Sequence, residues 1–131
     1  NNYTGQFRAA FNNITYRNNI EIGRRVRQTT IRNITSMIGV IRAQQPNALI
    51  VLSSLYGTVN NRTLNNLNTD FKFLASQFDL VFVDAARQLP QEEAMVYDQW
   101  HFTREGDRRL GELMADAIIE NMADLDDTKY R

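Results

Sequence analysis

The chain has 131 residues, no cysteine, a single histidine and equal numbers of basic and acidic side chains, 15 of each. Within the chain, those counts exclude a disulfide framework, a thiolate metal site and a zinc centre built on several histidines, and no apolar run is long enough to span a membrane. The neutral total hides an uneven distribution: residues 1–47 carry seven arginines against Glu21 alone, a net of +6, which leaves −6 for the remainder.

In chain order, residues 1–19 are polar and Asn-rich and read as a loop with a short helix, with Phe7, Phe11 and Tyr16 as anchors. Four Asn-x-Thr sequons, at Asn2, Asn13, Asn33 and Asn61, tilt the expectation toward a secreted or periplasmic protein. From Ile20 to Gln44 the spacing of Ile34, Met37, Ile38 and Ile41 predicts an amphipathic helix that Pro46 terminates. The cluster Arg24-Arg25-Val26-Arg27 lacks the interleaved aromatics of a nucleic-acid surface, so it reads as a solvated face or one with an intramolecular partner. No nucleic-acid partner is expected.

Ala48 to Leu52 is short, apolar and partly β-branched, the signature of a buried strand. Tyr56 to Asn68 reads as a polar loop suited to substrate contacts. Leu67, Phe71, Leu74, Ala75 and Phe78 restore helical spacing, and Leu80 to Val83 is a second buried strand closed by Asp84. An acidic residue there sits where open α/β sheets place ligands, although bonding to nearby loop backbone is its commoner use. Residues 85–97 form a connection, with Pro90-Gln91-Glu92-Glu93 opening a helical turn and its two glutamates read as solvated. After Met122 the tail from Asp124 to Arg131 is charged and expected to fray.

The segment Asp98-Gln99-Trp100-His101-Phe102-Thr103 carries the chemistry. For an imidazole to activate a hydroxyl it must be held in one tautomer and stabilised as imidazolium, and a carboxylate bonded to its other ring nitrogen does both. In a loop, a separation of three residues lets Asp98 fold back onto the His101 ring. From spacing alone, a surface Asp beside a partly buried structural His is the commoner reading. Trp100 either walls a pocket or packs beneath the loop. Beyond His101, apolar residues at Leu110, Leu113, Met114, Ala117, Ile118 and Met122 predict a helix, with Thr103 as its cap and Glu105 and Asp107 at its positive end.

Asp98, His101, Phe102, Thr103 and Gly106 match in order the last conserved block of the SGNH, or GDSL, hydrolases, and the chain resembles that family over roughly residues 30–122. The resemblance implies an α/β three-layer fold with a parallel sheet, of which residues 1–131 would supply the C-terminal part of a single domain. It also implies a serine-dependent ester hydrolase in which His101 is the general base and Asp98 orients it, with an acyl or acetyl ester, on a small molecule or a carbohydrate, as substrate. No cofactor or metal is implied. An O-acyltransferase using the same machinery and a noncatalytic α/β binding or scaffold module are the alternatives.

The family's Gly-Asp-Ser nucleophile block and its Gly-x-Asn-Asp block cannot be read in this sequence. The serines are Ser36, Ser53, Ser54 and Ser76, none in that context, so the missing half of the domain is an expected partner. Asn1-Asn2 stands either where family members carry Asn-Asp, which would make Asn1 an oxyanion donor, or in a plain polar loop.

Overall fold

The computed structural model describes the backbone of residues 3–57 and 61–122, and side chains from residue 20 onward except that of Glu93. Within these residues the chain is a mixed α/β structure. Helix α1 (Tyr3–Gln44) leads to strand β1 (Val51–Ser53), helix α2 (Arg62–Gln77) and strand β2 (Val81–Val83). A short helix α3 (Ala85–Gln88), a 3-10 turn (Glu93–Met95) and helix α4 (Arg104–Met122) follow. The strands pair in parallel, with Val51 opposite Val81 and Ser53 opposite Val83. Two parallel neighbours need a crossover, and α2 supplies it.

Residues 3–19, expected as a loop with a short helix, instead form the start of α1, which extends over 42 residues, about 63 Å at the helical rise. The Asn-rich composition hid this stretch because it offers no continuous apolar stripe. The proposed anchors Phe7, Phe11 and Tyr16 fall outside the described side chains, and the tail from Asp124 lies outside the described residues. Farther along, α1 and α2 lie side by side in the same direction. Gly23 meets Thr63, the Arg27 guanidinium forks onto the Asp70 carboxylate (Nη2 to Oδ1, 2.8 Å), and Arg42 donates to the carbonyls of Phe78 and Asp79. Arg27 therefore has the intramolecular partner that its cluster suggested, while Arg24 and Arg25 pair with Glu21. Of the four apolar residues that predicted α1, Ile38 is buried and Met37 stays exposed.

Helix α2 begins five residues before its first predicted apolar position, Leu67, with Asn68 well inside it, because Asn61 caps it. The Asn61 side chain accepts from the N–H groups of Thr63 (2.9 Å) and Leu64 (3.2 Å). Leu67, Phe71, Leu74 and Ala75 are buried, one apolar face packed on the sheet and on α1. Phe78, expected on that face, is half exposed beyond the last turn. There the chain turns through Asp79 at φ 53°, a left-handed conformation that Asp tolerates, and Leu80 N–H closes back on the Ala75 carbonyl at 2.8 Å.

A second cluster underlies the C-terminal part: Tyr56, Ala85, Leu89, Met95 and Val96, with Phe102, Leu110 and Leu113 packed against it. Tyr56 spans it, donating its hydroxyl to the Pro90 carbonyl at 2.6 Å and stacking at a tilt on Phe102. Burial of the Tyr56 ring pushes its phenol pKa upward. Helix α4 covers β2 and the 3-10 turn. No helix among the described residues is long and apolar enough to cross a membrane.

Candidate active site

Beyond β2 the chain reaches a narrow loop whose neck is an antiparallel bridge between Val96 and Phe102, reinforced by Tyr97 N–H donating to the His101 carbonyl at 3.1 Å. Val96 is buried in the core, so the neck is anchored and residues 97–101 form the tip. The far side of the neck is tied to α4. Thr103 N–H donates to the Met95 carbonyl (3.0 Å), its hydroxyl donates to the Ala94 carbonyl, and its Oγ1 accepts from Gly106 N–H (3.1 Å). Thr103 thus caps α4 as its position predicted.

Gly106 has a reason beyond capping. A Cβ at this buried position would overlap the Met95 carbonyl oxygen and come within 2.6 Å of Phe102 Cδ1, so only glycine lets the first turn of α4 lie against the neck of the loop.

Asp98 and His101 meet at the tip. Asp98 Oδ2 is 2.6 Å from His101 Nδ1, while Oδ1 accepts the backbone N–H groups of Trp100 and His101, each at 2.7 Å. Both carboxylate oxygens are therefore fixed by groups within three residues, and the spacing that suggested the pair is also what makes it. The His101 N–H, then the His101 ring, then the Trp100 N–H stabilise the charged form and hold the Asp98 pKa at about 2, below its ordinary 3.8. With the carboxylate accepting from Nδ1–H, the neutral ring presents Nε2 as an acceptor, the tautomer a general base requires.

Sequence reasoning did not find the remaining contacts of the tip. The Tyr97 ring stacks on the His101 ring at 5.7 Å with a 16° interplanar angle. Trp100 lies over the end of the β1–α2 connection, where a Cβ on Gly57 would meet its Cζ3 at 2.9 Å and Leu64 Cδ2 at 3.1 Å. The indole consequently packs against the β1–α2 connection, while 43 % of its surface stays exposed. Neither contact has a local signal in the sequence, Trp100 because its partners lie about 40 residues away and Tyr97 because nothing in its spacing distinguishes a stacked ring from a solvated one.

The serines nearest the sheet are spoken for. Ser54 is buried, its hydroxyl donates to Asp84 Oδ1 (3.2 Å) and accepts from Ala86 N–H (2.9 Å), and Ser53 Oγ donates to the Ser54 carbonyl. Among the described residues no side chain bonds His101 Nε2, and 68 % of the His101 side chain is exposed. Asp84 takes the Ser54 hydroxyl with its carboxylate, whereas its expected bonds to backbone are made by its carbonyl, which accepts from Arg87 and Gln88. Asn1 lies outside the described residues.

No family model matches the sequence, and no curated protein or solved structure matches it either. Two asparagines of the stretch expected to contact substrate have structural bonds: Asn61 caps α2, and Asn68 clamps Leu55, accepting from its N–H (2.7 Å) and donating to its carbonyl (2.8 Å).

Proposed function

We propose that this chain supplies the Asp–His pair of a serine-dependent ester hydrolase of SGNH type, built on a three-layer α/β/α domain to which these residues contribute one part. The observation that carries the reading is the 2.6 Å contact between Asp98 Oδ2 and His101 Nδ1, made by a loop anchored on both sides and presenting the opposite ring nitrogen outward. In the reaction, a serine hydroxyl attacks the ester carbonyl and passes its proton to His101 Nε2. The imidazolium, balanced by the Asp98 carboxylate, returns that proton to the leaving alcohol, and the acyl-serine is hydrolysed by water activated in the same way. The nucleophile belongs to a segment bearing a Gly-Asp-Ser block beyond these residues, because Ser53 and Ser54 are committed to structural bonds. The exposed imidazole fits this arrangement, since a triad works in a water-excluded site that the nucleophile's segment would complete. The substrate is an acyl or acetyl ester, and transfer of the acyl group to a sugar hydroxyl uses the same residues.

One observation favours a noncatalytic binding module instead. Asp98 also accepts two backbone N–H groups, which is enough to explain its presence as the pin of a loop. Labelling with a fluorophosphonate separates the two readings. A full-length hydrolase gains one covalent adduct on a serine of a Gly-Asp-Ser block, and the His101→Ala protein gains none. Absence of any adduct in the folded full-length protein favours the module, and an adduct on Ser53 or Ser54 overturns the assignment of the nucleophile to another segment.

A further inference from the structure

Two adjoining grooves lie between α1 and α2, and Arg24 and Arg27 border both. The groove at the start of α2 has a volume of about 400 Å³, and Arg62, Thr63 and Asn66 line its α2 side. Among the described residues no carboxylate lines it. At its floor the two helices approach closely, since a Cβ on Gly23 would come 2.7 Å from Thr63 Oγ1. Arg24 is shared with Glu21 and Gln28, and Arg27 is committed to Asp70, but Arg62 makes no hydrogen bond or ion pair among the described residues. The first turn of α2 carries no acidic residue, so the positive end of that 16-residue helix adds to the arginines rather than being neutralised.

A basic recess closed by two helices, with an uncommitted guanidinium at its mouth and hydroxyl and amide side chains beside it, has the donor set of an oxyanion site. Its volume falls at the lower end of small-molecule pockets, about 300–1,000 Å³, which suits a compact ligand and not a nucleic-acid strand. We propose that this groove binds a small organic oxyanion, a phosphate monoester or a carboxylate, with Arg62 as the main charge-pairing residue and Arg24 beside it. The site stands independently of the Asp98–His101 pair. It nonetheless lies at the same end of the fold, because Leu64, two residues from Arg62, borders Gly57 together with Trp100.

The test is an amide chemical-shift titration of the chain with inorganic phosphate and, separately, malonate, each against sodium chloride at matched ionic strength. Saturable shifts centred on Gly23, Thr63 and Asn66 that chloride does not reproduce are expected, and the anion that produces them assigns phosphate or carboxylate as the ligand group. Arg62→Gln should weaken the affinity about tenfold, the size of one charge-assisted bond. Arg32→Gln removes the same charge from α1 outside this groove and should leave the affinity within about twofold. Melting curves establish that both variants fold. Shifts that chloride matches, binding by neither anion, or an Arg62→Gln protein with unchanged affinity would overturn the proposal.

Discussion

Replacing Gly106 with alanine tests how the loop bearing Asp98 and His101 is held. The added methyl would overlap the Met95 carbonyl oxygen and come within 2.6 Å of Phe102, at a position already buried. Met95 and Val96 are themselves buried, so the loop neck has no free direction of retreat. Overpacking of this kind costs about 1–3 kcal/mol. Moving the Met95 carbonyl also gives up the 3.0 Å bond from Thr103 N–H, about 1 kcal/mol more. Against this, alanine is favoured over glycine in a helix by about 1 kcal/mol. The clash therefore wins, with a net loss of about 2 kcal/mol and a fall in Tm of roughly 8 °C. Gly111 in the same helix is the internal control, because a Cβ there meets nothing within 4 Å. Gly111→Ala should stabilise the protein by up to about 1 kcal/mol through helix propensity alone. Urea unfolding followed by circular dichroism measures both. If Gly106→Ala is as stable as the wild type or more so, the packing of α4 on the loop neck is wrong.

Two further outcomes are expected. Ser54→Ala leaves the Ala86 N–H and the Asp84 carboxylate without their buried hydroxyl partner, and unfolding experiments should show a loss of about 1–3 kcal/mol; a neutral effect would refute the structural role given to Ser54. Because the folded-state pKa of Asp98 lies below its ordinary 3.8, the stabilisation from its bonds is complete above that pH and is lost as the pH falls through about 2. A carboxyl carbon titration by NMR should place the Asp98 midpoint near that lower value, and a midpoint at or above the ordinary one would show that the loop bonds are not made in solution.

The parts of the fold that were legible in the sequence are those set by local physics. Pro46 marks the end of α1, and the Thr103 cap and apolar spacing mark α4, because each depends on residues within a turn or two; short β-branched runs mark both strands, although β1 starts at Val51 rather than Ala48 and is half-buried rather than buried. The Asp98–His101 contact was legible for the same reason, both partners lying in one short loop. What the pattern hid depends on distance or on masking by composition. The first turns of α1 are disguised by asparagines, and the capped start of α2 was mistaken for loop because Asn61 reads as a loop residue until its side chain is seen to accept two helix N–H groups. The Ser54–Asp84 bond, the Arg27–Asp70 fork and the seating of Trp100 against Gly57 join residues 30 to 43 positions apart, and no local periodicity encodes such pairs.

The central claim is that His101 acts as a general base and Asp98 as the acid that orients it, and turnover of a short acyl ester by the full-length protein tests it most directly. His101→Ala should lower kcat by at least about 10³-fold, and Asp98→Asn by a comparable factor, because an amide favours the wrong tautomer and cannot balance the imidazolium. The His101 side chain is largely exposed, so the His101→Ala melting temperature should stay within a few degrees of the wild type. Loss of turnover in a protein that still melts normally is the predicted result. A folded His101→Ala protein with near-normal kcat would contradict the account and leave the loop with a structural role alone.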